Sequence, residues 1–124
     1  MMRCWLSIGG NVDDACINMA AALERMCEFA VVEAVSPFYN TKALDGVSPD
    51  YVNAVALICS DIPADELSAR FKAMERDAGR CPEDKARGIV ALDIDIVIVD
   101  DRVVRPADYR RPWFETGYLA ILSR

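Results

Sequence analysis

Two amphipathic helical stripes set between short β-branched runs predict an α+β fold of order β-α-β-β-α-β with an antiparallel sheet. Apolar residues recur at i, i+3 and i+4 in the two stripes, β-branched residues crowd the intervening runs, and Gly, Pro and Asp punctuate the boundaries. At 124 residues the chain is read as one domain, 1–124, long enough to bury roughly two-thirds of its unfolded surface.

Residues 3–8 form the first strand, stopped by Gly9-Gly10-Asn11. Asp13 and Asp14 open the first helix, whose stripe runs Cys16, Met19, Ala20, Leu23, Met26 and Cys27. Residues 30–39 are β-rich, and Asp45-Gly46 and Ser48-Pro49-Asp50 mark a loop before a strand over 51–59. Pro63 in the first helical position, with Asp65 and Glu66 after it, starts a second helix that turns Leu67, Phe71, Met74 and Ala78 inward and ends at Gly79. A charged loop over 80–88 leads into the strand 92–99, and Asp100-Asp101 turns the chain into a short Val103-Val104 segment. This order is the ferredoxin-like sandwich.

Composition removes several classes of function. With 53% hydrophobic and 27% charged residues the chain is globular rather than disordered, and a net charge of −6 argues against a broad nucleic-acid footprint. No run approaches the ~18 apolar residues of a membrane span, and the opening residues lack a signal-peptide hydrophobic region. Five widely spaced cysteines without a C-x-x-C pair point to reduced thiols and the cytoplasm. There is no histidine, which excludes imidazole acid–base chemistry and disfavours zinc.

The chemistry concentrates in Leu92-Asp93-Ile94-Asp95-Ile96-Val97-Ile98-Val99, where two acids interrupt an aliphatic run. Alternation along a strand puts Asp93 and Asp95 on one face, roughly 7 Å apart at about 3.3 Å per residue, with Val97 and Val99 continuing that face. Carboxylates beside a core are costly unless they meet cations or donors. This pair suits a hard cation such as Mg²⁺, which takes one or two carboxylates plus substrate phosphates; the alternative is a solvated strand end.

Four segments carry a resemblance. Gly9-Gly10-Asn11, Ser36-Pro37-Phe38-Tyr39-Asn40-Thr41, Asp50-Tyr51-Val52-Asn53-Ala54 and Leu92-Asp93-Ile94-Asp95 are similar, in order, to the G-S-N, S-x-x-Y-x-T, D-Y-x-N-A and L-D-L-D segments of the 6-hydroxymethyl-7,8-dihydropterin pyrophosphokinases. The resemblance runs from about Ser7 to Asp101 and weakly on to Tyr118. It implies transfer of the terminal pyrophosphate of ATP to the pterin hydroxymethyl oxygen in folate biosynthesis, with Mg²⁺. It assigns Asp93 and Asp95 to metal, and Thr41, Leu44, Tyr51, Asn53 and Tyr118 to the pterin. Glu75 and Arg80 match the E-x-x-x-G-R pattern beside the nucleotide, where Lys85 and Arg110 are further candidates. It implies pterin and ATP as partners, neither nucleic acid nor membrane, and leaves the oligomeric state open.

The departures are also specific. Val90 stands where the family has an arginine before L-D-L-D, Glu83 and Asp84 reverse the charge of a basic loop, and Trp113 replaces a histidine after Pro112. The chain is also shorter than the family at its C-terminal end. Lys85, Arg87, Arg110 or Arg111 are available to supply the missing cations. Against the enzyme stands a non-catalytic pterin- or nucleotide-binding relative acting as a regulatory or interaction module.

Overall fold

The computed structural model describes residues 1–123, with the side chain of Lys85 left aside. Its strands are β1 (Met2–Gly10), β2 (Val31–Val35), β3 (Tyr39–Thr41), β4 (Tyr51–Ser60), β5 (Asp93–Val99) and β6 (Arg102–Val103). The helices are α1 (Ala15–Met26), α2 (Ala64–Asp77), α3 (Pro82–Ala86), α4 (Pro106–Tyr109) and α5 (Pro112–Leu122). The sheet is antiparallel throughout, in the order β2-β4-β1-β5-β6, with β3 also paired to β4. The predicted β-α-β-β-α-β order is realised by β1, α1, β2, β4, α2 and β5.

Alternation along β1 separates two cores. Cys4, Leu6 and Ile8 pack with Ile58 and Ile94 beneath Met19 and Met26 of α1 and Leu67, Phe71 and Met74 of α2. The opposite face holds Val55 and Val97 against Phe114 and Ile121 of α5, flanked by Trp5 and Tyr118.

The structure refines four sequence expectations. The buried stripe of α1 is Ala15, Met19, Ala22 and Met26, while Cys16, Ala20 and Cys27 face solvent. The sequence pattern admits either phase, because Ala and Cys are apolar enough to extend the stripe sideways; packing on β1 selects one. The β-rich stretch 30–39 splits into β2 and β3 around Pro37, which has no N–H to give the ladder. There Ser36 takes over the pairing: its N–H donates to the Val55 carbonyl (2.8 Å) and its hydroxyl accepts from the Val55 N–H (2.9 Å). The pairing of β1 with β5 shifts register between Trp5 and Leu6, so Val97 stays on the Asp93 face while Val99 packs on the α1–α2 side. Last, the segment after β6 is helical, with Pro106 and Pro112 each starting a helix.

α5 matters most, because it lies across the face that carries the acids. Its close approach to the sheet occurs at Gly117, where an added Cβ would stand 2.5 Å from Val55 Cγ2 and 2.9 Å from Tyr39 Oη. The Tyr39 hydroxyl also donates to the Trp113 carbonyl and accepts from the Gly117 N–H (3.2 Å). Gly117→Ala is therefore expected to destabilise the fold by about 1–3 kcal/mol, the usual cost of overpacking. Urea denaturation checks this, and an unchanged midpoint would contradict the close contact.

Candidate active site

A row of residues crosses the sheet at the ends of β1, β4 and β5: Asp93 opposite Gly9, Gly9 opposite Asn53, and Asn53 opposite Tyr39. The next row holds Asp95, Ser7 and Val55. On β1 the side chains of this face shrink from Trp5 to Ser7 to Gly9. α5 therefore packs on Trp5, whereas a cleft stands open above Ser7 and Gly9. Gly9 is required by close approach, since a Cβ there would come within 2.7 Å of Asn53 Oδ1.

One wall of the cleft comes from β3, β4 and the loop between them. Thr41, Leu44, Tyr51 and Asn53 all line it. The Asn53 amide is almost fully buried and donates from Nδ2 to Thr41 Oγ1 at 2.5 Å. Burial, reinforced by the negative charge of Asp93, raises the Tyr51 phenol above its ordinary pKa. Trp113, at the start of α5, lines the cleft with Asp108.

The opposite wall is the acid pair, and both Asp93 and Asp95 line the cleft. Burial of Asp95, followed by the charge of Asp93, pushes its carboxyl up to about 7; Arg105 and Lys72 pull the other way. Lys72 Nζ stands 3.7 Å from Asp95 Oδ1 and Arg105 Nη1 3.9 Å from it, too far for strong hydrogen bonds. The donor set is hard oxygen, two carboxylates of which Asp95 lacks a close cation, and it fits a divalent ion that draws its remaining ligands from substrate and water. Among the described residues no group of three or more His, Cys, Asp or Glu side chains converges on a metal position.

Glu75 and Arg80 lie behind this wall. Glu75 is 3% exposed, and its oxygens accept from Arg80 Nη1 (2.8 Å), Lys72 Nζ (3.1 Å) and the Ile94 N–H (2.9 Å). Arg80 Nη1 also reaches Asp93 Oδ1 at 2.7 Å, so its guanidinium bridges two acids. Asn11 pins the segment before β5: its amide donates to the Gly88 carbonyl (2.6 Å) and accepts from the Val90 N–H (2.7 Å).

Six expected site residues therefore share one cleft: Thr41, Leu44, Tyr51, Asn53, Asp93 and Asp95. Tyr118 does not line it. Five residues after Trp113 on a 3.6-residue helix it points elsewhere, edge-on to Trp5 (4.6 Å between centroids) and stacked on Phe114 (5.5 Å). Arg110 is exposed at the C-terminal end of α4 and does not line the cleft, and the Lys85 side chain lies outside the described residues. Trp113, expected only as the replacement for a family histidine, lines the cleft, and Lys72 and Arg105 stand behind it beside Asp95. Arg105 belongs to a sequence cluster with Arg102, Arg110 and Arg111 that could meet phosphates or simply be solvated; Lys72 carries no signal beyond a charge on an amphipathic helix.

Residues 5–121 match the family model described as 7,8-dihydro-6-hydroxymethylpterin-pyrophosphokinase (HPPK). Three curated relatives carry the name 2-amino-4-hydroxy-6-hydroxymethyldihydropteridine pyrophosphokinase. The one from Aquifex aeolicus is 30% identical over 106 residues, 85% of this chain and 66% of the relative. The one from Synechocystis is 28% identical over 115 residues, 91% of this chain and 58% of the relative. The one from Pseudomonas putida is 27% identical over 105 residues, covering 83% and 87%. The chain thus spans about three-fifths to two-thirds of the length of the first two. With a family match over residues 5–121, nearly all of the described fold, this chain belongs to the 7,8-dihydro-6-hydroxymethylpterin-pyrophosphokinase family.

Proposed function

We propose that the chain transfers the pyrophosphoryl group of ATP to the hydroxymethyl oxygen of 6-hydroxymethyl-7,8-dihydropterin, with Mg²⁺. The hydroxyl gives up its proton to solvent as its oxygen bonds to the β-phosphorus, the bond from that phosphorus to the oxygen bridging the α-phosphate breaks, and AMP leaves. The observation that carries the reading is one cleft with two unlike walls: a buried amide, a hydroxyl and two aromatic rings facing a carboxylate pair in which Asp95 lacks a close cation. The first suits a flat heterocycle with donors and acceptors on its edge, the second a metal-bound polyphosphate.

In this reading Asn53 and Thr41 orient the pterin, and Tyr51, Leu44 and Trp113 supply its apolar contact. Tyr118 supports α5 on Trp5 rather than touching the ring. Asp93 and Asp95 hold Mg²⁺, which supplies charge neutralisation at the phosphates when bound. Glu75 and Arg80 position Asp93 through their shared ion pair. Lys85 and Arg110 are candidates to replace family cations that this chain lacks, Arg110 from outside the cleft lining. Five free thiols suit a reducing compartment, the cytoplasm, and no helix among the described residues is long and apolar enough to cross a membrane.

Assay of AMP release dependent on 6-hydroxymethyl-7,8-dihydropterin and Mg²⁺ tests the proposal. Asn53→Ala is expected to weaken pterin binding by about 1–3 kcal/mol, because ligand groups lose their partners, and calorimetric titration reads this directly. Pterin binding without Mg²⁺-dependent turnover would favour a binding module instead.

Asp95→Asn is expected to weaken magnesium–nucleotide binding more than about tenfold, since a neutral amide is a poor ligand for a hard cation. It also has a pH signature. Folded Asp95 keeps its proton up to about 7, whereas the unfolded chain releases it near ~4. Between these values the folded state binds more protons, so metal-free stability falls as pH rises from about 4 to 7 and then levels off. Thermal melts in EDTA should show that fall in the wild type, and Asp95→Asn or added Mg²⁺ should flatten it. Parallel profiles for wild type and variant would refute the assignment.

A further inference from the structure

We infer that Arg105 contacts the polyphosphate of a metal-bound nucleotide, leaving its resting partners Asp95 and Asp108 to do so; the inference rests on the Mg²⁺–ATP reading above. Three acids line the cleft: Asp93, Asp95 and Asp108. A triphosphate entering it needs cations near the acid pair that can exchange partners.

Lys42 lines the cleft from the side of the β3–β4 loop, exposed; the cations beside the acid wall differ sharply in how firmly they are held. Arg80 is bridged between Glu75 and Asp93, with contacts of 2.8 and 2.7 Å. Lys72 is closest to Glu75, at 3.1 Å. Withdrawing either one strips a cation from an acid that is 3% exposed, which is among the costliest changes a protein can suffer. Arg111 sits over the Trp113 ring at 5.5 Å, and Arg87, 71% exposed, faces Asp84. Arg105 is different. Its strong partner is Asp108, three residues on in the short helix that Arg105 precedes, and the Arg105 side chain is half exposed. Ion pairs of that kind are worth at most about 1 kcal/mol, so exchanging one for a phosphate is cheap.

The backbone supports the same role. The N–H groups of Val104 and Arg105 both donate to the Val97 carbonyl, at 2.9 and 3.3 Å, which fixes the root of the side chain beside the acid strand. Only the side chain is free to swing, from an anchored position 3.9 Å from Asp95 Oδ1. A guanidinium presents its donors as a planar fork that matches phosphate oxygens as it does carboxylates, so a polyphosphate can take over the contact with Asp108. Arg105 does not line the cleft at rest but shares the adjoining groove with Asp95, so a swing of its side chain past that carboxylate brings positive charge to the acid wall from the α4 side.

The test turns on a change of sign. A positive charge next to a metal ligand opposes a bare metal ion but attracts a metal-bound polyphosphate. In Arg105→Ala, Mn²⁺ alone is expected to bind about three- to tenfold more tightly. The magnesium complex of α,β-methylene-ATP is expected to bind about tenfold more weakly, the loss of a charge-assisted contact. Arg105→Lys should recover part of the nucleotide affinity. Calorimetry on the full chain reads both ligands without turnover. If Arg105→Ala weakens both ligands, the residue is merely structural and the inference is overturned; unchanged nucleotide affinity overturns it equally. If the wild type binds no magnesium–nucleotide complex at all, the Mg²⁺–ATP reading itself fails, and that result is distinct from either of the others.

Discussion

The carboxylate of Glu75 is the constraint on which the rest of the site depends. A charge that deep costs several kcal/mol unless it is both paired and hydrogen-bonded. Glu75 meets the requirement by accepting from two cations and from the N–H of Ile94. Those bonds do more than satisfy it. They tie the last turn of α2 to the first residues of β5, and they orient Arg80 so that its other contact is Asp93. The acid strand therefore enters the sheet with Asp93 already partnered and Asp95 one step deeper, between Lys72 and Arg105.

The electrostatics of the wall follow from this arrangement. Three acids, Glu75, Asp93 and Asp95, face three cations, Lys72, Arg80 and Arg105. Charge balance by count is not charge balance by distance. The close contacts go to Glu75 and Asp93, and Asp95 is left with two cations near the 4 Å limit. Its raised pKa expresses that shortage: desolvation and its neighbour outweigh what distant cations return. A structural ion-pair network would spread its contacts evenly, whereas here the deficit falls on the carboxylate that borders the cleft.

The cleft itself is a product of side-chain size. Along one face of β1, Trp5 fills the space beneath α5 through its contact with Tyr118, while Ser7 and Gly9 leave the same face bare. The helix rides over the bulky end of the strand, pinned where Tyr39 meets Trp113 and Gly117. The open end of the strand becomes the floor between the Asn53 amide and the Asp93 carboxylate.

Periodicity and punctuation in the sequence sufficed for the β-α-β-β-α-β order, for both main helices, and for Asp93 and Asp95 on one strand face. Each of these depends on local spacing, which the chain carries in itself. The grouping of Thr41, Leu44, Tyr51 and Asn53 came from motif resemblance, and the pairing of β3 with β4 supplies its physical cause. What the sequence left open depends on contacts between distant segments. The phase of the α1 stripe was chosen by packing on β1. Tyr118 was turned from the cleft by the helical geometry of α5, whose mean apolarity hides which face is inward. Glu75 reads on α2 as a polar residue beside an apolar stripe. It becomes a buried anchor only when β5 brings the Ile94 N–H and when Arg80 folds back to meet it. Arg105 is one of several arginines late in the chain, and only the short hairpin of β5 and β6 carries it to Asp95. Local spacing decides which residues share a face, but tertiary structure alone decides which charges meet, because electrostatic partners are selected by distance in space.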